Sequence, residues 1–164
     1  VVSTETAQAL GAVGMAARSS GVDIDTRFDF NDKWYTSLDV VKPFKATGDV
    51  HSRFKLRYKE IKQSMQIVKK LLDKLKEFRN EQILTNPNKT LAPNAFAISM
   101  TEGWRGEIVH IALTGANGEL LRYKMKDPSF NNWYMLAMAV RNNGVSDFPL
   151  CNKSFNLSYC GNDL

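Results

Sequence analysis

The side chains best suited to metal or thiol chemistry are few in this chain of 164 residues. Its two cysteines, Cys151 and Cys160, are separated by eight residues, and His51 and His110 are its two histidines. A structural zinc site needs about four such ligands at short, regular spacing. The sequence therefore argues against a metal centre built from its own residues alone.

The positive charge of the chain is concentrated in one segment. The formal net charge is +5, and residues 48–81 contain ten Lys or Arg against five Asp or Glu, which accounts for the whole excess. Arginine clusters interleaved with aromatic residues, which nucleic-acid binding favours, are scarce there. A solvated helix face is the favoured interpretation, and a basic nucleic-acid or membrane-surface module is kept as an alternative.

Hydrophobic periodicity predicts one long amphipathic helix in the middle of the chain. Asp49 is its expected N-cap, and the helix should continue to about Glu81, before the break at residues 85–89. Apolar residues recur at three- and four-residue steps, and we expect them to be buried against a sheet. They are Phe54, Ile61, Met65, Val68, Leu72 and Leu75.

Shorter patterns predict the remaining elements and an α+β fold. Strands are expected at residues 95–100, 106–113 and 119–125, the last two joined by a hairpin loop that ends in Asn-Gly. One helix should span residues 3–15 and another should begin at Pro128. An ordered loop with aromatic anchors is expected at residues 18–47, and a turn-rich, loosely held tail from residue 147. Residues 1–164 are read as a single domain without a membrane span or a signal peptide.

Five motifs occur in the same order as in one known family. They are Gly11-Ala-Val-Gly14 with Arg18 and Gly21; Gly48-Asp49 with Arg53, Arg57, Glu60 and Ser64; Glu102-Gly-Trp-Arg105-Gly106-Glu107 with His110; Lys126-Asp-Pro-Ser-Phe130; and Asp147-Phe-Pro-Leu-Cys-Asn152-Lys-Ser154. Together they resemble the large subunit shared by energy-converting nickel-iron hydrogenases, formate hydrogenlyases and the 49 kDa subunit of respiratory complex I. The third motif departs from the family pattern at Gly103 and Trp104.

The resemblance implies that this chain is the C-terminal part of such a subunit and that it lacks the metal ligands. The two family cysteine positions fall on Ser158 and Gly161, and Cys160 lies one position away from the second. No cofactor is therefore expected in this chain. A nickel-iron centre belongs to metal-binding relatives, and iron-sulfur clusters belong to partner subunits.

The resemblance also suggests individual roles. Arg105 corresponds to an arginine that faces the nickel-iron site in metal-binding relatives; here we expect it either to form an ion pair with Glu102, Glu107 or Asp163 or to face solvent. His110 is read as a core or edge residue of the sheet in preference to a proton relay.

Three further positions complete the candidate set. Asn156 stands where metal-binding members have Asp, and Asp163 is read as a solvated tail residue, with a carboxylate at the former metal site as the alternative. Four residues, Asp49, Arg53, Arg57 and Glu60, are read as scaffold: the last three either bond one another along the helix or hold the glycine-rich turn. The strand with Arg105 should lie beside the turn at residues 156–161.

The expected function follows from the same resemblance. The chain would help to shape the quinone or former nickel-iron cavity of a hydrogenase-like or NADH-quinone oxidoreductase-like complex, with quinone and NAD binding in the assembly. Its partners would be an iron-sulfur small subunit, other subunits and the missing N-terminal part, with no nucleic acid. The expected location is cytoplasmic, peripheral on the inner face of the membrane. An active nickel-iron hydrogenase (formate hydrogenlyase) fragment is the alternative, and the isolated chain is expected to be inactive.

Overall fold

The structure, a computed structural model, describes residues 1–30, 33–78 and 90–160. Seven α-helices and three strands occur in these ranges, with short 3-10 turns at Lys76–Phe78 and Val145–Asp147. The helices are α1 (Thr4–Ala9), α2 (Gly14–Ser19), α3 (Thr26–Asp29), α4 (Lys33–Thr36), α5 (Val50–Leu75), α6 (Ser129–Ala139) and α7 (Phe148–Phe155). The strands are β1 (Phe96–Gly103), β2 (Gly106–Thr114) and β3 (Leu120–Lys126). The predicted α+β class is confirmed.

The three strands form an antiparallel sheet in the order β1-β2-β3, as the alternating sequence pattern predicts. Gly103 pairs with Gly106, so that Trp104 and Arg105 form the tip of the first hairpin. The sequence analysis did not assign this hairpin turn, although it placed both strands to within a few residues. The tip carries the side chains that matter most for the candidate site.

The start of α5 agrees with prediction, whereas its buried face does not. The Asp49 carboxylate accepts the backbone N–H of Ser52 at 2.6 Å, and the Ser52 hydroxyl donates to the Asp49 carbonyl. This N-H bond to the carboxylate lowers the pKa of Asp49. The predicted end near Glu81 and the break at residues 85–89 lie outside the described residues.

The predicted burial of the apolar stripe of α5 is wrong. Buried residues on this helix are Ser52, Arg53 and Leu56, all in its first two turns. The helix packs mainly against α2 and α7 and not against the sheet. The six stripe residues are between 42% and 69% exposed, namely Phe54, Ile61, Met65, Val68, Leu72 and Leu75.

The core lies instead among the short helices. Small residues of α1 and α2 pack against Met135 and Leu136 of α6 and against Cys151 and Phe155 of α7. Alanines on the first two helices let the backbones approach closely, and Phe155 is 1% exposed.

Three further predictions from local composition are corrected. The predicted first helix is two helices, because Gly11 and Gly14 both adopt positive φ between them. In its described part, residues 147–160, the tail is not turn-rich or loose: it forms α7, whose Phe155 and the following Leu157 are buried in the core.

The predicted loop between α2 and α5 contains two short helices. Its aromatic residue Phe30 is 65% exposed, and Phe28 lies under the Arg27 and Lys42 cations. The predicted anchor Trp34 has its side chain outside the described part of the structure.

Candidate functional site

The glycine-rich turn before α2 touches the tip of the β1–β2 hairpin. A Cβ atom on Gly14 would lie 2.2 Å from the Cα of Gly106 and 2.5 Å from the Arg105 carbonyl oxygen. Gly14 also has φ +63° and Gly106 has φ +137°, values that side-chain-bearing residues rarely adopt. These two glycines therefore permit a backbone contact that fixes the position of Arg105.

The side chain of Asn132 in α6 bonds to both sides of the same contact. Its side-chain oxygen accepts the N–H of Val13 at 3.1 Å, and its NH₂ donates to the carbonyls of Val13 and Arg105, both at 3.2 Å. The side chain is fully buried. A buried amide with all these bonds made is a rigid connector between three elements. The sequence analysis missed this residue, since nothing in the local pattern distinguishes it from a solvated helix asparagine.

Three arginines converge on the C-terminal end of α7. Arg105 donates through Nε to the Asn156 carbonyl, and Arg57 donates to the Ser154 carbonyl at 2.8 Å. Arg53 donates to the Ser154 hydroxyl at 2.8 Å. The last carbonyls of a helix lack partners within it and form the negative end of its dipole, so guanidinium groups are well placed there. Asn156 ends the helix with φ 54°.

These arginines carry charge with little acidic compensation nearby. Burial lowers the pKa of Arg53 to about 10, and its guanidinium lies 4.1 Å from the centre of the Phe155 ring. Burial also lowers the pKa of Arg57, where the nearby charge of Arg105 acts in the same direction and Glu60 opposes it. The end of α7 is therefore an electropositive region held mainly by neutral acceptors.

A second, acidic cluster lies beside it. Arg18 forms ion pairs with Glu60 at 2.5 Å, Glu102 at 2.9 Å and Asp25 at 3.2 Å. Arg27 holds Asp25 through two bonds, at 2.8 Å and 2.6 Å. Burial alone would lower the pKa of Arg18, but the three carboxylates outweigh it and raise that pKa. We call these five residues the carboxylate–arginine cluster.

Four residues of the carboxylate–arginine cluster, Arg18, Arg27, Glu60 and Glu102, line the base of an open groove of about 720 Å³. One wall is the exposed face of α5 and the other is the hairpin tip at Gly103 and Trp104. The groove is therefore charged at its base and apolar along its side.

The predicted contact between Arg105 and the turn at residues 156–161 is confirmed at Asn156. The predicted ion pairs of Arg105 with Glu102 or Glu107 are wrong, because Glu102 pairs with Arg18 and Glu107 lies 3.7 Å from Lys126. The half-buried Arg105 finds a backbone carbonyl instead of a carboxylate. Gly161 of this turn and Asp163, the third predicted ion-pair partner of Arg105, lie outside the described residues.

The Ser158 hydroxyl and the Cys160 thiol are the groups at or next to the family cysteine positions in the described part of this turn. Ser158 Oγ lies 3.4 Å from Cys160 Sγ, and the Ser158 N–H donates to the Ser129 hydroxyl at 3.0 Å. Within residues 1–30, 33–78 and 90–160, no group of three or more His, Cys, Asp or Glu side chains is arranged to hold a metal. This donor set does not fit a nickel centre, which prefers several thiolates.

The remaining predicted residues are placed apart or paired differently. His110 lies in the central strand β2, where Nδ1 contacts the Tyr123 hydroxyl across the sheet. Arg53, Arg57 and Glu60 do not bond one another: the arginines bind α7, and Glu60 binds Arg18 of the glycine-rich segment. Arg18, Glu60 and Glu102 each belong to one of the family motifs, but the sequence analysis did not predict that they meet, and Asp25 and Arg27 belong to no motif.

The fold and this site define a helix-and-hairpin unit in which an arginine at a hairpin tip meets the end of a C-terminal helix. Residues 1–163 match the family described as the respiratory-chain NADH dehydrogenase, 49 kDa subunit. The chain belongs to this family, as the five motifs predicted.

Two curated relatives and one solved structure give the scale of the match. Hydrogenase-4 component G of Escherichia coli is 31% identical over 161 residues, and the alignment covers 94% of this chain and 28% of that protein. The membrane-bound hydrogenase subunit alpha of Pyrococcus furiosus is 33% identical over 162 residues, covering 90% of this chain and 37% of that subunit. The chain therefore spans about a third of the length of these relatives.

The solved structure supports the fold. A chain of the membrane-bound sulfane sulfur reductase, an archaeal respiratory membrane complex, matches with a TM-score of 0.84 at 20% identity, covering 100% of this chain and 45% of that one. No helix within the described ranges has the length and apolar character to cross a membrane.

Proposed function

We propose that this chain is the C-terminal part of the large subunit of a membrane-associated redox complex of the hydrogenase or NADH-quinone oxidoreductase type. The family match over residues 1–163 supports this assignment, and so do relatives named as membrane-bound hydrogenase and hydrogenase-4 subunits. The relatives are much longer than the chain, which agrees with a part of a subunit. In this proposal the subunit lies peripherally on the cytoplasmic face of the membrane and contacts an iron-sulfur subunit.

The contact of Arg105 with Asn156 carries the proposal. It brings the hairpin tip to the turn that contains Ser158, where metal-binding relatives have a cysteine, so both sides of the family cavity come together. Arg105 and Arg57 supply fixed positive charge beside this turn, at the end of α7. The proposed role is to shape and polarise a cavity, whose reacting groups come from quinone or from other subunits.

No step of this function uses a metal held by the described residues. Ser158 has a hydroxyl where a thiolate would be needed, and the single neighbouring thiol of Cys160 is too few for a nickel site. We therefore propose that the isolated chain is catalytically silent. We also propose that it binds no nucleic acid.

One observation favours a second candidate, an active nickel-iron hydrogenase fragment. The exposed thiol of Cys160 lies at the same turn, 3.4 Å from the Ser158 hydroxyl, so one sulfur ligand is present close to the family position. The upstream part of the subunit would then have to supply the other thiolates.

The test uses the intact complex purified from its source. We expect iron from the iron-sulfur subunit, nickel far below one atom per large subunit, and no hydrogen uptake. Arg105→Gln should reduce electron transfer by the complex, whereas Arg141→Gln, at an exposed arginine, should not. Stoichiometric nickel that is lost in Cys160→Ser would establish the second candidate in place of the first.

A further inference from the structure

The exposed residues of α5 form a regular seam along the helix. Seven apolar side chains follow one another at alternating steps of four and three residues, and each is between 42% and 69% exposed. We call them the α5 seam: Phe54, Tyr58, Ile61, Met65, Val68, Leu72 and Leu75. Such a spacing over three heptads is the pattern of a helix that packs against another helix, with each member of the seam inserted between side chains of the partner.

The space beside the α5 seam is shaped for an elongated occupant. The groove of about 720 Å³ runs along Ile61, Met65, Val68 and Leu72, facing the hairpin tip at Trp104. A second hollow of about 310 Å³ continues it along Val68, Leu72, Leu75 and Phe78. A continuous apolar surface of this length on a folded chain marks an interaction site.

Lysines line one edge of the α5 seam. Lys55, Lys62, Lys69 and Lys76 each directly follow a seam residue and are spaced by seven, so they occupy the same flanking position in every heptad. Residues at such positions select a partner by charge. The opposite flank contains Arg57, Ser64, Leu71 and Phe78, with no carboxylate.

This arrangement favours an acidic partner and disfavours a second copy of the chain. Two antiparallel copies would bring the lysine rows of both helices together. Two parallel copies would set Arg57 of one copy against Lys62 of the other, and neither flank offers a carboxylate to compensate. Complementary charge therefore requires a helix with Asp or Glu beside its apolar stripe.

We propose that one acidic amphipathic α-helix from the remainder of the same large subunit packs lengthwise on the α5 seam, between α5 and the hairpin tip. The assignment of the source rests on the proposed function, since it needs the longer subunit. It is supported by relatives of which the chain spans 28% and 37%, and by the character of the surface. A dense apolar seam resembles a domain core cut open, as permanent interfaces do, more than a transient docking patch.

The experiment places a photo-crosslinking amino acid at Met65 in the full-length subunit within its purified complex, with Gln66 as the matched control on a neighbouring exposed position. After irradiation, mass spectrometry maps the attached peptide. We expect position 65 to crosslink to an acidic amphipathic segment of the same polypeptide, and position 66 to give much less of that product. A crosslink to another polypeptide, to a second copy or to lipid would overturn the proposal, as would no crosslink at position 65.

Charge reversal tests the role of the lysine row in the same complex. Lys69→Glu, in the groove wall, should lower the crosslink yield from position 65 by about threefold, as expected for loss of flanking charge pairs. Lys59→Glu makes the same charge change outside the row and should leave the yield unchanged. Equal yields in both variants would contradict an acidic partner. Nickel content and hydrogen uptake of this complex report on the proposed function separately, so a failure of either proposal is recognisable by itself.

Discussion

The two halves of α5 invert the usual relation between polarity and burial. In the first half, from Asp49 to Glu60, the charged Arg53 is 1% exposed and binds the end of α7. In the second half, from Ile61 to Leu75, Met65 is 69% exposed and touches no core. The buried residues of α5, Ser52, Arg53 and Leu56, all lie in the first half, whereas the α5 seam, which begins at Phe54 and Tyr58, is exposed along the whole helix.

One amphipathic helix therefore combines a polar contact within the chain and an exposed apolar surface. Burial of Arg53 is possible because a hydroxyl and a backbone carbonyl accept its N–H groups, so the cost of removing the charge from water is offset locally. The seam residues of the second half, from Ile61 to Leu75, are 42–69% exposed and do not belong to the hydrophobic core of the described residues. The buried residues of the first half therefore stabilise the folded chain, and the α5 seam is available to pack against another helix.

The largest effect is expected from removing the cation at the centre of the carboxylate–arginine cluster. Arg18→Met leaves Asp25, Glu60 and Glu102 close together without their shared partner, and should reduce the free energy of unfolding by about 3–5 kcal/mol. Urea unfolding monitored by circular dichroism measures it. Arg141→Met, at an exposed arginine, should change the value by less than about 0.5 kcal/mol. Similar losses in the two variants would show that the cluster does not anchor α5.

A somewhat smaller effect is expected at Asp25, and it depends on pH. Burial would raise the pKa of Asp25, but the bonds from Arg27 and the charges of Arg18 and Arg27 outweigh it, so the pKa is lowered. The unfolded chain then takes up this proton first, and the stability from Asp25 is complete above about pH 3.9 and lost as the pH falls through the folded-state pKa.

Unfolding measured from pH 7 to pH 2.5 tests this sign. Asp25→Asn should cost about 3 kcal/mol at neutral pH and flatten the acid limb of the stability curve. Glu77→Gln, at an exposed carboxylate outside the cluster, serves as the control. An acid limb in Asp25→Asn as steep as in the parent chain would assign the pH dependence to other carboxylates.

The sequence predicted elements better than it predicted which faces are buried. Asp49 begins α5 and the three strands lie where alternation placed them, because capping and pleat periodicity are local properties. The predicted burial of Leu72 was wrong. Amphipathic spacing indicates that one helix face is suited to packing, but it does not indicate whether the same chain provides the surface that covers it. Likewise α7 was missed because its eight residues acquire their partners, such as Arg53 and Arg57, from far along the chain.

The candidate site was predictable only where motifs named its residues. The proximity of Arg105 to Asn156 followed from the family resemblance, and the structure contains that contact. The atom that accepts the Arg105 hydrogen bond could not be predicted, because the sequence pattern does not distinguish a backbone carbonyl from a carboxylate as the partner of a guanidinium. The role of Asn132 could not be predicted either, because its side chain bonds to Val13 and Arg105, which lie 119 and 27 positions away along the chain.

An intermediate effect is expected at the hairpin tip. Arg105→Gln removes the cation that holds the Asn156 carbonyl and should cost about 1.5–3 kcal/mol, as for a hydrogen bond from a charged group. Hydrogen exchange resolves where the loss occurs: amides of residues 156–160 should exchange faster, while those in the first half of α5 keep their protection. Trp104→Ala, at the neighbouring exposed tip residue, is the control for a general loosening of the hairpin. Faster exchange along the whole of α5 would show that Arg105 supports the fold and not only the turn.

The smallest effect separates the two halves of α5 most directly. Leu72 is 58% exposed, so Leu72→Ala in the 164-residue chain removes few contacts and should change the free energy of unfolding by less than about 0.5 kcal/mol. Leu56, on the same helix, is fully buried, and Leu56→Ala should cost about 2–5 kcal/mol through the cavity it leaves. Both variants have the same change in helix propensity, so urea unfolding of the pair compares burial alone. A loss in Leu72→Ala comparable to that in Leu56→Ala would mean that the second half of α5 is covered within this chain, and the α5 seam would then be part of its core instead of a surface for another helix.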